Sequence, residues 1–256
     1  MGRKDFDRGY FTRLAVVLCS FYLYGVFALV LFPISEAHLP YILTDNVFMS
    51  INSVVTFLLV FYLFYKFLRR SLIEGGRKGI SLKFLAAGFG FYGVTITGLL
   101  LTVFGFFDET VLLNFFVNRI FMVFSISSIA YSSFCFKGCS FLRKLVPLVA
   151  LVGGFLWFLF GIFYVGSIGY TMFGFLSFVW SPLMVFSGYV FFRRSEIMVG
   201  WPGYLFSFGM IMLGMSYLLW PLSFNWFFYT LVWTMVNISL LFLVTGIHSM
   251  ESLSDS

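Results

Sequence analysis

The sequence predicts an all-α fold, a polytopic transmembrane helical bundle of about eight spans, and three observations carry that prediction. Hydrophobic side chains make up 61% of the 256 residues, and Asp, Glu, Lys and Arg together only 10%. A soluble domain has nowhere to bury so much apolar surface. Mean hydropathy is +1.01, and apolar runs of about 20 residues recur, each long enough to cross a hydrocarbon core of ~30 Å. The third observation is that charge is nearly absent from those runs and gathers between them.

The spans follow in order, with boundaries good to a few residues. The first, roughly 13–33, is preceded by Arg3, Lys4, Arg8 and Arg13. The second, roughly 47–68, and the third, roughly 84–107, flank a connection holding Arg69, Arg70, Arg77, Lys78 and Lys83. The fourth, roughly 113–136, is followed by Lys137, Arg143 and Lys144. The fifth and sixth, roughly 145–166 and 169–192, end on Arg193 and Arg194. The seventh and eighth, roughly 200–220 and 225–247, complete the set. Counting Lys66, this places 15 of the 16 basic residues on one face, opposite Glu36, Asp45, Asp108 and Glu109. Short loops rich in Lys and Arg stay cytoplasmic, so an integral protein of the plasma or cell membrane with both termini inside is expected.

The net charge of +6 is then an insertion signal that also favours anionic membrane lipids. Its residues sit in short connections, not on a folded basic surface, which argues against nucleic acid as a partner. Two N-terminal resemblances are set aside. Ser35-Glu36-Ala37 looks like a signal cleavage site, but the apolar run from Leu14 to Phe32 is too long for a signal h-region. Met1-Gly2 looks like a myristoylation start, but Phe6 stands where Ser or Thr is wanted. Cys19, Cys135 and Cys139 with His38 and His248 are too few and too scattered for a metal or haem site, so neither a metal nor another cofactor is expected.

The chain also reads as a repeat. Tyr65-Lys66-Phe67-Leu68-Arg69-Arg70-Ser71 closes the second span and Tyr189-Val190-Phe191-Phe192-Arg193-Arg194-Ser195 the sixth. Each is followed by a Gly-rich span, then by one opening on Asn-aromatic: Asn114-Phe115-Phe116 and Asn225-Trp226-Phe227. Two parallel four-helix halves, 1–144 and 145–256, are expected, since an even number of spans per half preserves orientation. The alternative is chance matching in a chain with 39 Phe. Small residues line one face of the third span (Ala86, Gly90, Gly93, Thr97), the sixth (Gly174, Ser177, Ser181, Gly188) and the seventh (Gly203, Ser207, Gly214). That pattern lets helix backbones approach closely in lipid. Trp180 and Trp233 fall within spans, where aromatic packing competes with an aromatic-lined cavity. Pro182 falls near mid-span and is expected to kink the sixth helix, as a hinge or as a static fit.

Few residues could carry chemistry. Arg119 is the one charge clearly inside a span, about a turn and a half from its start. It either snorkels toward Asp108 and Glu109 or attracts a ligand. Asn114, Asn118, Ser125, Ser128 and Ser132 form a polar stripe beside it, and Thr230, Thr234, Asn237 and Thr245 form another on the eighth span. Asn52 and Thr56 lie one turn apart on the second. Asparagine in hydrocarbon needs partners, so these groups either hold helices together or line an outward-opening pocket. The candidate ligand-binding residues are Asn52, Thr56, Asn118, Arg119, Thr234 and Asn237, with Pro182 as hinge. No catalytic residues are expected: the zinc-protease, nucleophile-elbow and Walker motifs are missing, and the spans hold no carboxylate or histidine for acid–base work. In outline the chain resembles small multi-span transporters and the membrane portions of sensory proteins. Two functions compete. One is a non-enzymatic membrane protein that binds and moves a small anionic, zwitterionic or lipid-like ligand entering from the outer face. The other is a sensor or scaffold working through a protein partner at the basic connection 69–83.

Overall fold

The computed structural model describes residues 46–103, 112–135, 140–160, 175–194, 200–220 and 226–254. Among these the chain is entirely helical: α1 (Asn46–Ile73), α2 (Gly76–Val103), α3 (Leu112–Cys135), α4 (Ser140–Phe160), a π-helical turn (Leu176–Trp180) running into α5 (Ser181–Arg194), α6 (Trp201–Leu218) and α7 (Trp226–Ser254). The segments Ile51–Ile73, Gly76–Gly98 and Thr230–Ser249 are each long and apolar enough to cross a membrane. The expected first span lies outside the described residues.

The helices outrun the apolar windows that announced them. The basic connection expected over 69–83 is not a loop: only Glu74 and Gly75 lie outside helix between α1 and α2. Arg69 and Arg70 therefore stand on the last two turns of α1, and Arg77, Lys78 and Lys83 on the first turns of α2. Charged side chains mark where the bilayer ends, but Lys and Arg are good helix formers and do not stop the backbone. What stops it is Gly75-Gly76, with Gly76 at φ +61°, a left-handed conformation that favours glycine. Arg70 closes the turn with an ion pair to Glu74 at 3.7 Å. α7 likewise continues to Ser254, beyond the expected end at 247.

The helices form two triplets. α1 packs on α2 and α2 on α3; α5 packs on α6 and α6 on α7. The triplets meet at two seams, α1 against α7 and α3 against α5. α4 lies on the outside of α3 and reaches Phe175 at the head of the π turn, where Phe158 and Phe175 have ring centroids 5.0 Å apart. α2 is the most enclosed of the three long apolar helices and α1 the least.

Close approach rests on small residues, as the sequence pattern implied. A Cβ added at Gly188 would lie 2.9 Å from the Ser207 carbonyl of α6, and one at Gly90 would lie 3.1 Å from the Phe64 ring of α1. The sequence reading missed further sites of this kind, three of them between the long helices. Gly88 admits Ile129 of α3, Gly209 admits the Ser239 carbonyl of α7, and Gly246 admits the Pro202 carbonyl of α6. Hydroxyl groups supply the polar part of the packing. Ser81 meets Ser132 at 2.7 Å across α2–α3, and Ser133 donates to Ser187 at 3.3 Å across α3–α5. Interhelical bonds of this kind contribute about 0.6 kcal/mol each in lipid.

Phe67 and Phe191, each two residues before an Arg-Arg pair, are both buried and both pack edge-on against Phe206, at 5.7 and 5.6 Å.

Candidate functional site

Three of the expected ligand residues come together at the α1–α7 seam. Asn52 and Thr56 share a face of α1 because residues four apart stack on one side of a helix. Opposite them stands Asn237 of α7. Its amide nitrogen donates to Asn52 Oδ1 at 2.7 Å, and its Oδ1 accepts from the Thr56 hydroxyl at 2.8 Å. The two bonds together fix the amide's orientation. Thr56 is fully buried, and the two asparagines are half-buried. The seam is a hydrogen-bonded lock between the ends of the described chain.

Thr234 does not join it. It lies one turn before Asn237 and is exposed, and its hydroxyl donates to the Thr230 carbonyl of its own helix at 2.8 Å. That back-bonding is the usual way a helix in hydrocarbon satisfies a lone threonine. Asn118 and Arg119 lie on α3, which packs against α2, α4 and α5 at the opposite seam; their side chains lie outside the described residues. Of the expected stripe on that span, Ser132 turns to α2; its neighbour Ser133, outside the stripe, turns to α5.

Pro182 is buried on α5, immediately after the π turn. Proline cannot donate to the carbonyl four residues back, and its ring would press on that carbonyl. The backbone accommodates this by widening: the Ser181 N–H bonds to the Leu176 carbonyl, five residues back. The Ser181 hydroxyl crosses to the Gly214 carbonyl of α6 at 2.5 Å.

A second constellation sits between the triplets. Tyr92 of α2 and Tyr217 of α6 join hydroxyl to hydroxyl, both fully enclosed. The Trp180 ring of the π turn lies 4.7 Å from Tyr217 and 5.8 Å from Tyr92. Trp220 stacks on Tyr217 at 5.7 Å and meets Trp233 of α7 edge-on at 5.7 Å. Ser177 of the π turn donates to the Tyr217 carbonyl at 3.1 Å. The indole N–H groups of Trp180 and Trp233 are buried with no acceptor among the described residues. Leaving such a donor unmatched costs about 1–3 kcal/mol, so each is a ready anchor for an acceptor atom.

Tyr92 and Tyr217 escaped the sequence reading because tyrosine is common in this chain and neither breaks a pattern. The available signal was positional: each lies in the Gly-rich helix of its triplet. The centre offers neutral donors, hydroxyls and ring faces. Among the described residues no three His, Cys, Asp or Glu side chains converge to hold a metal ion. No family model, no curated protein and no solved structure matches this chain.

Proposed function

We propose that this chain is an eight-span membrane protein with both termini cytoplasmic that binds, and moves, a small ligand between two repeated four-helix halves. The ligand is anionic, zwitterionic or lipid-like and enters from the outer face. The observation that carries the reading is the aromatic centre between the triplets, with its two buried unmatched indole donors. Those donors suit a carboxylate, phosphate or ester oxygen, and the flanking rings suit an apolar body. Arg119 draws the anionic group inward, the Asn52–Thr56–Asn237 lock ties one seam, and the π turn with Pro182 is the element that moves. π-helical turns inside α-helices cluster at functional sites because a single turn can change register.

The seam pattern supports the repeat. A two-fold axis along the membrane normal exchanges the second span with the sixth and the fourth with the eighth. It therefore exchanges the α1–α7 contact with the α5–α3 contact, and both are present. It also exchanges α2 with α6, the two helices whose tyrosine hydroxyls meet.

The test is native mass spectrometry of the full chain in mild detergent without delipidation. A small molecule or lipid held at fixed stoichiometry is expected, and Trp180→Phe and Arg119→Gln should each lose it while unfolding cooperatively. A bare chain, or retention indifferent to both substitutions, contradicts the assignment. A chain carrying only another polypeptide favours the sensor or scaffold, whose partner would dock on the basic helix ends around Glu74.

A further inference from the structure

The lock at the α1–α7 seam has a counterpart at the α3–α5 seam, and there the hydrogen bonds are missing. Aligning the two Arg-Arg-Ser motifs pairs Asn52 with Leu176 and Thr56 with Trp180; aligning Asn114 with Asn225 pairs Asn237 with Ile126. Asn52 and Thr56, which bond across their seam, thus correspond to the two ends of the π turn. Leu176, Trp180 and Ile126 are all buried. The isoleucine side chain has no acceptor atom. The Trp180 N–H therefore holds the place of the Thr56 hydroxyl with no amide to receive it, and it has no partner among the described residues.

The helix register brings these groups to one level. Val123 of α3 and the Phe175 ring both flank the Cβ position of Gly154, at 2.8 and 3.0 Å. Further along the same two helices, Ser133 donates to Ser187 at 3.3 Å. Trp180, one wide turn past Phe175, therefore comes level with Ile126 and Ser127, one turn past Val123, and α3 packs on the π turn as well as on α5. The Ser127 hydroxyl is also buried without a partner among the described residues. Each wall of the seam thus presents one unmatched donor at the same depth. Serine can turn to a carbonyl of its own helix; an indole N–H cannot, so the demand for an acceptor is strongest at Trp180. The widened backbone of the π turn has no equivalent at 52–56, which lies in the regular helix α1.

We propose that a carbonyl oxygen of the ligand takes, at the α3–α5 seam, the place that the Asn237 amide holds at the other seam. Its two lone pairs accept from the Trp180 indole N–H and the Ser127 hydroxyl. The assignment rests on the binding reading and the repeat proposed above, and it narrows both. The site is one-sided, since Asn237 already fills the equivalent position, and its substrates are amphiphiles bearing an ester, amide or carboxyl carbonyl. An apolar molecule without such an oxygen leaves both donors unmatched and is rejected.

The test uses the full chain labelled with indole-15N tryptophan in dodecyl maltoside, a detergent without carbonyl groups. Trp180→Phe and Trp233→Phe assign the two indole N–H signals. Titrated methyl laurate should move the Trp180 signal downfield, and dodecane should not. Laurate distinguishes the source of the oxygen: a shift with laurate alone assigns it to a carboxylate, and a shift with both admits esters. Ile126→Asn supplies an internal amide, so its Trp180 signal should stand downfield before any addition. It should also weaken methyl laurate or laurate binding by about tenfold, the worth of one uncharged hydrogen bond. Ser127→Ala should weaken binding similarly while leaving the Trp180 signal of the free chain in place, and it decides the matter if Ile126→Asn does not fold. A Trp180 signal that neither carbonyl probe moves, or that dodecane moves equally, overturns the assignment. So does binding indifferent to Ser127→Ala. A shift confined to Trp233 removes this placement and leaves the central binding reading standing; a bare chain in native mass spectrometry, with no indole shifted by any probe, removes both.

Discussion

Replacing Gly214 by valine is expected to lower stability by about 3 kcal/mol, the upper range for overpacking a close-packed interior. A Cβ there would lie 2.6 Å from Val185 Cγ2, 2.9 Å from the Ser181 carbonyl oxygen and 2.9 Å from the Val185 nitrogen. Two of those three atoms are backbone and cannot turn aside. Relief requires α5 and α6 to separate, which also breaks the Ser181 bond to the Gly214 carbonyl and loosens the π turn beside Trp180. Gly153 is the control, because nothing lies within 4 Å of its Cβ position; valine there should change stability by no more than about 0.5 kcal/mol. Thermal unfolding in detergent compares the two directly. Equal melting temperatures would mean that α5 and α6 do not cross at Gly214.

The second large effect is expected at the α1–α7 lock. Asn237→Leu removes both inter-helix bonds at once and takes the acceptor from the buried Thr56 hydroxyl. The cost should be about 1–3 kcal/mol, set by the two lost bonds and that buried donor. Asn52→Leu alone should cost less, because Thr56 and Asn237 keep their bond. The sign of the coupling is the sharper expectation. With both asparagines replaced by leucine, the seam becomes apolar on both sides, and the double variant should be less destabilised than the sum of the single ones. Simple additivity would show that the two amides act independently, with the seam bond absent in the bilayer.

What was legible in the sequence follows from what each signal measures. Apolar length and Lys/Arg position report the bilayer, so the helical membrane class and the general position of seven helices could be read directly. Helix ends could not, because the bilayer edge near Arg69 is not a backbone stop; Gly76 is, and that depends on a dihedral angle. Small-residue spacing was legible for Gly188 and Gly214, which lie on regular faces. Gly88, Gly209 and Gly246 each face a partner helix at a spacing that no single-helix pattern marks.

The candidate site divides in the same way. Asn52, Thr56 and Asn237 could be singled out because amides are scarce in hydrocarbon, and scarcity marks a need for partners. Their pairing could not be read, since 185 residues separate Asn52 from Asn237. Thr234 shared a stripe with Asn237 but can satisfy itself on its own helix, an option asparagine lacks at this spacing. Of the Tyr92–Trp180–Tyr217 centre only Trp180 could be singled out; the two tyrosines could not, because the centre is assembled from three helical segments and tyrosine is ordinary in so aromatic a chain.

The most direct test of the two-half architecture is the sidedness of its equivalent points. Single cysteines at Gly75 and Ser195, just beyond the two Arg-Arg-Ser motifs, and at Asp108 would be treated with a membrane-impermeant maleimide in intact cells. Halves of the same orientation place positions 75 and 195 both inside, labelled only after permeabilisation, and position 108 outside, labelled at once. Labelling of 75 and 195 from opposite sides would invert one half relative to the other. It would remove both the repeat and the central site built upon it.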